Sequence, residues 1–265
     1  MTPDTPPAPL GFRTGLSGTH VARTMMLADL AVLFEHTPAD AAPEDYAAAI
    51  VTRNVLGKPS RKARELALKH LRALYGLDPG NPIFRALRRL WPVCLESQPL
   101  LALTAALARD PLLRATVPFV QGLPLGTQVD RPQMEEYLAR LLPDRLSPAS
   151  LTSTAQNVLA TWTWAGFFTP GRHRKRSAPP ASPEAVALAL FLGYLEGCTG
   201  ERLFSTAWMK LHRDVPVPAG TLARQAAHKG LLDYLSAGGV TEVRFPGYLT
   251  PEEERLVLEA GHVQA

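Results

Sequence analysis

The sequence predicts a mostly α-helical protein, a multi-helix bundle with a C-terminal winged-helix-like part that contains one short β-hairpin. Leu and Ala are abundant while aromatic residues make up only 7% of the chain, which favours a core built from helices. Several helix-capping side chains are followed directly by proline or an acidic residue, the usual start signal of a helix. Near the C-terminus, apolar and charged residues alternate after a Gly-Gly pair, which is typical of a hairpin strand.

The N-terminal part is predicted to be an arm followed by three helices. Residues 1–11 are rich in proline and are expected to form a flexible arm. Apolar spacing predicts helices over residues 19–34 and 43–55. The next helix starts after Ser60, whose hydroxyl can accept a hydrogen bond from a free backbone N–H, and its apolar stripe continues to Tyr75.

The middle of the chain is predicted to be helical as well. An N-cap Asn and an N1 proline open a helix at residues 81–82. Residues 92–121 are apolar, and we expect two short core helices there, broken near Pro111. A further helix is expected from residue 131 to about residue 142.

The next helix, which begins after Ser147, carries two tryptophans. Trp162 and Trp164 could stack on nucleic-acid bases. Tryptophan at helical spacing is more often part of a buried core, so both interpretations stay open at this point.

Residues 171–181 form the predicted boundary between two parts of the chain. This stretch combines four Lys or Arg within five residues with two prolines and no apolar period, which is typical of a basic linker or loop. It separates an N-terminal helical domain, residues 12–170, from a C-terminal winged-helix-like domain, residues 182–265. The stretch is either a mobile basic finger along phosphates or a solvated linker.

The order of elements after this boundary is that of a winged helix. A helix opens at Ser182, further helices are expected over residues 202–212 and 221–229, and a hairpin follows over residues 231–245. In such a fold the helix before the hairpin is offered to the major groove of DNA. Many winged helices serve only protein contacts, which is the alternative here. A capping box at Thr250 predicts a last, acidic helix.

Positive charge is concentrated in one region of the chain. The net charge is +4, but residues 53–91 carry ten Lys or Arg against two acids, which is a local balance of +8. A concentrated patch of this kind attracts an anionic polymer, whereas scattered charge does not.

Within this region, the helix after Ser60 places Arg61, Lys62, Lys69 and Arg72 opposite its apolar stripe. Cations and free N–H groups at a helix N-terminus suit a phosphate. The alternative is a solvated amphipathic face on which Glu65 pairs with Arg61 or Lys69.

The helix after residue 81 carries a second group of cations, Arg85, Arg88 and Arg89, which share one face. They are interpreted either as phosphate contacts or as side chains that lie over a neighbouring helix. Taken together, the candidate DNA-binding residues are Arg53, Lys58, Arg61, Lys62, Arg64, Lys69, Arg72, Arg85, Arg88, Arg89, Arg172, Arg174, Lys175, Arg176, Arg224 and Lys229.

No catalytic or metal-binding pattern is present in the sequence. It contains no Gly-rich phosphate loop, no CxxC pair, no HExxH and no GxSxG. The only two cysteines, Cys94 and Cys198, lack metal-ligand spacing, so neither a metal nor a cofactor is expected and a reducing cytoplasm is the simplest setting. No signal peptide or membrane-spanning helix is expected either. A nuclease built from carboxylates distributed over the fold stays open.

The order of these features resembles the BrxA family, the small helical component of BREX bacteriophage-exclusion systems. The likeness covers roughly residues 12–168 and is carried by FRTGLSGTHVARTMMLADL, RNVLGKPSRKARELALKHLRALYGL and LSPASLTSTAQNVLATWTWAGFF. It implies a mostly helical, non-enzymatic protein that binds double-stranded DNA. It also implies that Arg53, Lys58, Arg61, Lys62 and Arg64 fall in the basic helix region of the family. The part from about residue 171 onward is longer than the usual end of the family.

The sequence therefore predicts a non-enzymatic, cytoplasmic DNA-binding accessory protein of a BREX-type phage-defence system. Double-stranded DNA would be held mainly through phosphate contacts, because Lys and Arg dominate the candidate surface. The alternative is a protein–protein adaptor within a multi-subunit defence complex, with other BREX proteins as partners.

Overall fold

The computed structural model describes residues 10–263 and is mostly α-helical with two small antiparallel sheets. This confirms the predicted fold class. The helices are α1 (Leu27–Glu35), α2 (Pro43–Ala47), α3 (Arg61–Tyr75), α4 (Pro82–Leu90), α5 (Gln98–Arg109), α6 (Pro111–Arg114), α7 (Val117–Gly122), α8 (Arg131–Leu141), α9 (Pro148–Trp164), α10 (Pro183–Leu195), α11 (Ala219–His228) and α12 (Pro251–Val263).

Short 3-10 and π segments complete the helical part of the fold. A π-helix continues α2, and 3-10 turns take the place of the helix expected over residues 202–212. The 3-10 turns are Thr19–Val21, Leu95–Ser97, Gly200–Ser205 and Met209–His212, and the π-helix is Ala48–Thr52.

The predicted hairpin is present and pairs β3 (Asp233–Ala237) with β4 (Val240–Arg244). Its loop is two residues long, because Ala237 pairs directly with Val240. Both loop residues are glycines with positive φ, as a tight hairpin turn requires. A second sheet, which the sequence did not indicate, pairs β1 (Gln128–Val129) with β2 (Arg174–Lys175).

The core of the protein is centred on α5 and α10. Both helices are buried over most of their surface, and they pack against each other. On the N-terminal side α10 also packs against α4, and on the C-terminal side it packs against α11. Apolar packing therefore runs across the boundary that was predicted at residues 171–181.

The boundary stretch itself is fixed rather than free. Arg174 and Lys175 form β2, and the backbone of Arg176 exchanges hydrogen bonds with Gly126 and Thr127. The side chain of Arg176 is only 2% exposed. The prediction of a mobile basic finger is therefore wrong for Arg174, Lys175 and Arg176, because β1 and the core hold them in place.

Five of the predicted helix caps are formed, whereas α11 starts at Ala219, before its predicted cap at Gly220 or Thr221, and has no side-chain cap. Ser60, Asn81, Ser147 and Ser182 each accept a hydrogen bond from a backbone N–H in the first turn of the following helix. The capping box at Thr250 is also formed. Short-range hydrogen-bond chemistry sets these positions, so the sequence was sufficient to find them.

The helix expected over residues 19–34 is broken and starts only at Leu27. Met25 donates its backbone N–H to the Thr161 hydroxyl, and Met26 donates its own to Thr24. These side-chain acceptors replace the carbonyls of a helical turn, and Met26 takes a left-handed conformation with φ of 51°. Likewise, residues 98–122 form three helices, α5, α6 and α7, where two were expected.

The predicted arm at residues 1–11 lies outside the described residues except for its last two. Leu10 is fully buried, and the carbonyl of Gly11 accepts a hydrogen bond from Arg109 at 2.6 Å. The end of the predicted arm is thus anchored on the C-terminal end of α5.

A buried polar network holds the segment before α1. His20 Nδ1 lies 2.8 Å from the Asp110 carboxylate, and His20 Nε2 lies 2.9 Å from the Thr161 hydroxyl. Burial raises the pKa of Asp110, but hydrogen bonds from His20 and Leu113 more than offset this and leave it lowered. A Cβ on Gly18 would lie 1.9 Å from Asp110 Oδ1, so only glycine permits this approach. The network joins α6 and α9 to the turn that carries Arg23.

Candidate nucleic-acid interface

The N-terminus of α3 is positioned by the loop that precedes it. The side-chain amide of Asn54 accepts from the Lys58 N–H at 2.9 Å and donates to the Lys58 carbonyl at 3.0 Å. Ser60 Oγ then accepts from the Ala63 N–H at 3.2 Å. The first hydrogen bond of the helix is made by Arg64 to Ser60. The amides of Arg61 and Lys62 precede it, as the first N–H groups of any helix do.

The outer face of α3 carries several exposed cations of the predicted site. Ala67, Leu71, Leu74 and Tyr75 bury the opposite face, and Gly76 ends the helix with φ of 96°. We call the exposed cations Lys62, Lys69 and Arg72 of this helix the α3 basic face, and Arg53, which is also exposed, precedes the helix. None of the four forms an ion pair with any residue that the structure describes.

Three other predicted residues of this region have partners. Arg61 pairs with Glu65 at 2.9 Å, but both side chains are more than half exposed, so the pair contributes little stability. Lys58 pairs with Asp29 at 2.8 Å. Arg64 donates to the Val51 carbonyl at 2.7 Å. Arg61 can therefore still contact a phosphate, whereas Lys58 and Arg64 already interact with groups of the protein.

The sequence analysis did not identify His70 and Arg23, which lie close to this face. The pKa of His70 is lowered by burial, and the charges of Arg23 and Lys69 lower it further. Arg23 therefore lies close to α3, and its side chain is exposed. The turn before α1 brings it there through the buried His20 network, which no local sequence signal reveals.

An exposed tryptophan lies near the N-terminal half of α3. Trp164 is 48% exposed and lines a cleft of about 380 Å³ together with Arg23, Lys58 and Ala63. Trp162 is fully buried and donates its indole N–H to Thr116 at 2.9 Å. The core interpretation is thus confirmed for Trp162, but Trp164 presents its ring to solvent at the edge of the cleft.

Two arginines of α4 form contacts within the protein rather than with solvent. Arg88 is 8% exposed, donates to the carbonyls of Phe34 and Thr37, and lies 4.1 Å from the Phe34 ring centroid. Arg85 pairs with Glu253 and donates to the Tyr248 carbonyl. These guanidinium groups are covered by other parts of the chain, so Arg85 and Arg88 are removed from the proposed DNA surface.

Arg89 differs from its neighbours because its side chain is exposed. It donates to the Pro246 carbonyl at 2.9 Å and stacks over the Tyr248 ring at 4.4 Å. These contacts hold its guanidinium against the C-terminal part of the chain. The interpretation of this group as side chains that lie over neighbouring elements fits all three residues.

The cations of the 172–176 stretch divide in the same way. Arg176 is buried, donates to the Val120 carbonyl at 3.0 Å and pairs with Asp214. Its charge is neutralised inside the protein, so it too is removed from the proposed surface. Arg172 and Lys175 are exposed and Arg174 is half-buried.

The winged-helix-like part offers few free cations. Lys229 pairs at 2.5 Å with Glu184, which is fully buried and also accepts from Ser97. Burial raises the pKa of Glu184, but Lys229 and Ser97 more than offset this and leave it lowered. Arg224 is exposed and bonds to Thr221 on its own helix at 3.1 Å. Of the two residues predicted here, Arg224 alone presents its charge freely.

The predicted basic segments pack against different elements of the fold. The α3 helix packs against α5 and the π-helix, the Arg174 strand pairs with β1, and α11 packs against α10 and β3. Helix α3 therefore carries more cations without an ion pair than any other element among the described residues.

Other chemical groupings are sparse in residues 10–263. No three His, Cys, Asp or Glu side chains within that range lie close enough to hold a metal ion. Nor does any described helix combine the length and the apolar character needed to cross a bilayer.

Two comparisons with known proteins found no match. No protein-family model matches the chain, and no curated protein matches its sequence. The likeness to the BrxA family stays a prediction from the sequence pattern.

Proposed function

We propose that the protein is a non-enzymatic DNA-binding protein that holds double-stranded DNA on the α3 basic face. The observation that carries the proposal is that Arg53, Lys62, Lys69 and Arg72 are exposed and lack ion-pair partners among the described residues. Free cations of this kind displace counterions from DNA, which is the main source of sequence-independent affinity.

The N-terminus of α3 supports a phosphate contact in particular. The amides of Arg61 and Lys62 precede the first hydrogen bond of the helix, and the helix dipole favours an anion at this end. A phosphate bound here would also draw Arg61 away from its weak pair with Glu65. Lys62, Lys69 and Arg72 lie along the same helix and would contact further phosphates of the duplex.

Trp164 and Arg23 extend this surface on one side. An exposed aromatic ring can stack on a base or pack against a sugar, while Arg23 adds a charge. Helix α3 carries no Asn or Gln that could read an adenine edge, and its Lys and Arg side chains are proposed to contact phosphates. We therefore expect affinity without a strong sequence preference.

The salt dependence of binding tests this proposal. Four or five neutralised phosphates give a slope of log affinity against log salt near −4, so affinity falls about 250-fold between 50 and 200 mM salt. Fluorescence anisotropy of a labelled duplex at several salt concentrations measures it. A flat salt dependence, or no binding at the lowest salt, contradicts the proposal.

A second candidate function is supported by the hairpin. Leu235 is 62% and Val240 is 69% exposed, and the register places both on the same face as Ala237. With Asp233 and Glu242 on the same strands, this hairpin suits a protein surface better than DNA. As an alternative, we propose an adaptor that docks a partner here, in a phage-defence complex of the cytoplasm.

The two candidates separate experimentally. Changing Leu235 and Val240 to Ser removes the apolar face of the hairpin and leaves α3 untouched. DNA binding that survives this change, together with loss of a co-purifying partner, assigns the two functions to two surfaces. Loss of DNA binding instead places the hairpin in the DNA contact and contradicts the assignment to α3.

A further inference from the structure

A cleft of about 380 Å³ lies beside the first half of α3, and its volume is within the range of small-ligand sites. The segment before α1, the start of α1, one side of α3 and the end of α9 form its walls. Ala63, which lines the cleft, lies in the first turn of α3. The cleft therefore adjoins the N–H groups that are proposed to bind a phosphate of DNA.

Small side chains keep this cleft open on the α3 side. Ala63 and Ala67 are about one helical turn apart and both line it. A Leu at either position would project further carbon atoms into the space. Met26 and Leu27 add apolar surface at the start of α1. The walls thus suit the face of a flat, largely apolar ring.

An open aromatic side chain completes the cleft. Trp164 is 48% exposed and is the one exposed aromatic residue among residues 10–263, because every other Trp, Phe and Tyr there is buried or half-buried. An indole left in water forgoes the favourable burial of a large apolar surface. Exposed aromatic rings of this kind are the platforms on which proteins stack nucleic-acid bases.

The charges at the rim of the cleft leave one cation free. Lys58 and Asp29 pair at 2.8 Å and offset each other. Arg23 is exposed, forms no ion pair with a described residue and donates to the neighbouring Ala22 carbonyl at 3.0 Å. An apolar cleft with one free guanidinium at its rim complements a nucleotide, which joins a flat ring to a phosphate.

We infer that this cleft receives one unpaired base of the bound DNA, stacked on Trp164, while Arg23 contacts a phosphate next to it. The inference rests on the proposed DNA binding by α3 and adds the kind of DNA that is preferred. A paired base offers only its edges to the grooves, so an aromatic ring can stack on a base only where that base has left the duplex stack. The preference would tolerate any base, because every base has a face to stack.

Three labelled duplexes of one sequence test this on the full-length protein: one fully paired, one with a single bulged adenosine, and one with an abasic residue in place of that adenosine. The abasic bulge keeps the same phosphates and interrupts the duplex at the same point but lacks the base. We expect the bulged adenosine to be bound about tenfold more tightly than the abasic bulge, which is the scale of one stacked base. Fluorescence anisotropy at a fixed salt concentration measures the three affinities.

Substitution of Trp164 isolates the stacking surface. Trp164→Ala should bring the two bulged duplexes to the same affinity and leave the salt slope of the fully paired duplex unchanged, since the α3 basic face is intact. Trp164→Phe should restore part of the preference. Leu125→Ala is the control, because Leu125 is also exposed and lies outside the cleft. It should keep the full preference.

Ala63→Leu tests the cleft separately from the ring. It fills the space beside α3 and keeps Trp164, so it should also remove the preference for the bulged adenosine. A preference that survives in Ala63→Leu or in Trp164→Ala, or equal affinity for both bulges in the unaltered protein, would overturn the inference and leave duplex binding by α3 in place. Failure to bind any of the three duplexes would overturn both proposals.

Discussion

Helices α3 and α4 carry cations at similar density but use them in opposite ways. On α3, Lys62, Lys69 and Arg72 are exposed and free of ion pairs with described residues. On α4, Arg85 and Arg88 end on carboxylates, carbonyls or rings of the same chain. The number of cations in a stretch therefore does not say how many can bind a ligand.

The difference comes from what covers each helix. One side of α3 packs inward, against α5 among others, and its other side meets solvent. Helix α4 contacts both α5 and α10. Its Arg88 also contacts the end of α1, and its Arg85 contacts the start of α12. Whether a cation is free to bind a ligand or is held by contacts inside the protein depends on neighbours that lie far away in sequence.

The largest effect is expected on stability, when an α4 arginine that contacts the inside of the protein is removed. Arg88→Ala leaves the carbonyls of Phe34 and Thr37 without a donor and removes a stacked guanidinium, so it should lower the free energy of unfolding by about 3 kcal/mol. Urea denaturation measures this change. Lys69→Ala is the control and should alter stability by less than about 0.5 kcal/mol. Equal stability of the two variants would break the comparison.

The next effect concerns DNA affinity and uses one residue from each helix. Lys69→Ala should weaken duplex binding several-fold and reduce the salt slope by about one, because it removes one phosphate contact. Arg89→Ala removes an equally exposed charge that Tyr248 and Pro246 already hold. It should leave the salt slope unchanged. Anisotropy titrations at matched salt compare the two, and a slope lost in Arg89→Ala would contradict the assignment of the site to α3.

A smaller effect is expected from pH. The pKa of His70 is lowered in the free protein by burial and by the charges of Arg23 and Lys69. Bound phosphates would offset those charges and raise this pKa, so DNA binding takes up protons and strengthens as the pH falls from about 8 to about 6. We expect a change of a few-fold in affinity, absent in His70→Ala. The same pH dependence in that variant would place its origin elsewhere.

The smallest effect is expected at the one acid on the outer face of α3. Glu65→Gln frees Arg61 from an exposed pair, so stability should change by less than about 0.5 kcal/mol. Affinity for DNA should rise slightly, since a negative charge is removed beside the phosphates. Thermal unfolding and anisotropy measure the two quantities. Weaker DNA binding in Glu65→Gln would indicate that Glu65 orients a contact rather than opposing it.

Local chemistry made much of the fold predictable. The bounds of α3 follow from the Ser60 cap and the glycine after Tyr75, both of which act within a few residues. The turn of the hairpin needs only its two glycines. The same reasoning failed before α1, where Thr161 on α9 takes over the N–H of Met25.

The candidate site was predictable only in part, because the fate of each cation depends on distant residues. Arg176 pairs with Asp214, and Arg88 donates a hydrogen bond to the end of α1. Neither contact leaves a pattern within the stretch that contains the arginine. Arg23 was missed for the converse reason, since only the folded chain places it beside α3. Base stacking and core packing both stayed open for Trp164 in the sequence, because only the fold shows that its ring is exposed.

Reversal of the α3 basic face is the most direct test of the proposed DNA surface. A variant with Lys62, Lys69 and Arg72 each changed to Glu is compared with a control that reverses Arg145, Arg202 and Lys210, which are exposed, form no ion pair with a described residue and lie outside α3. Both variants change the net charge by the same amount. The measurement is duplex affinity by anisotropy at low salt, after thermal unfolding shows that both proteins are folded.

We expect the α3 variant to lose at least about a hundredfold in affinity and most of its salt dependence, while the control loses only a few-fold through its lower net charge. Equal losses in the two variants would mean that total charge, rather than the cations of α3, attracts DNA. That result would contradict the proposal that this helix face is the DNA-binding surface.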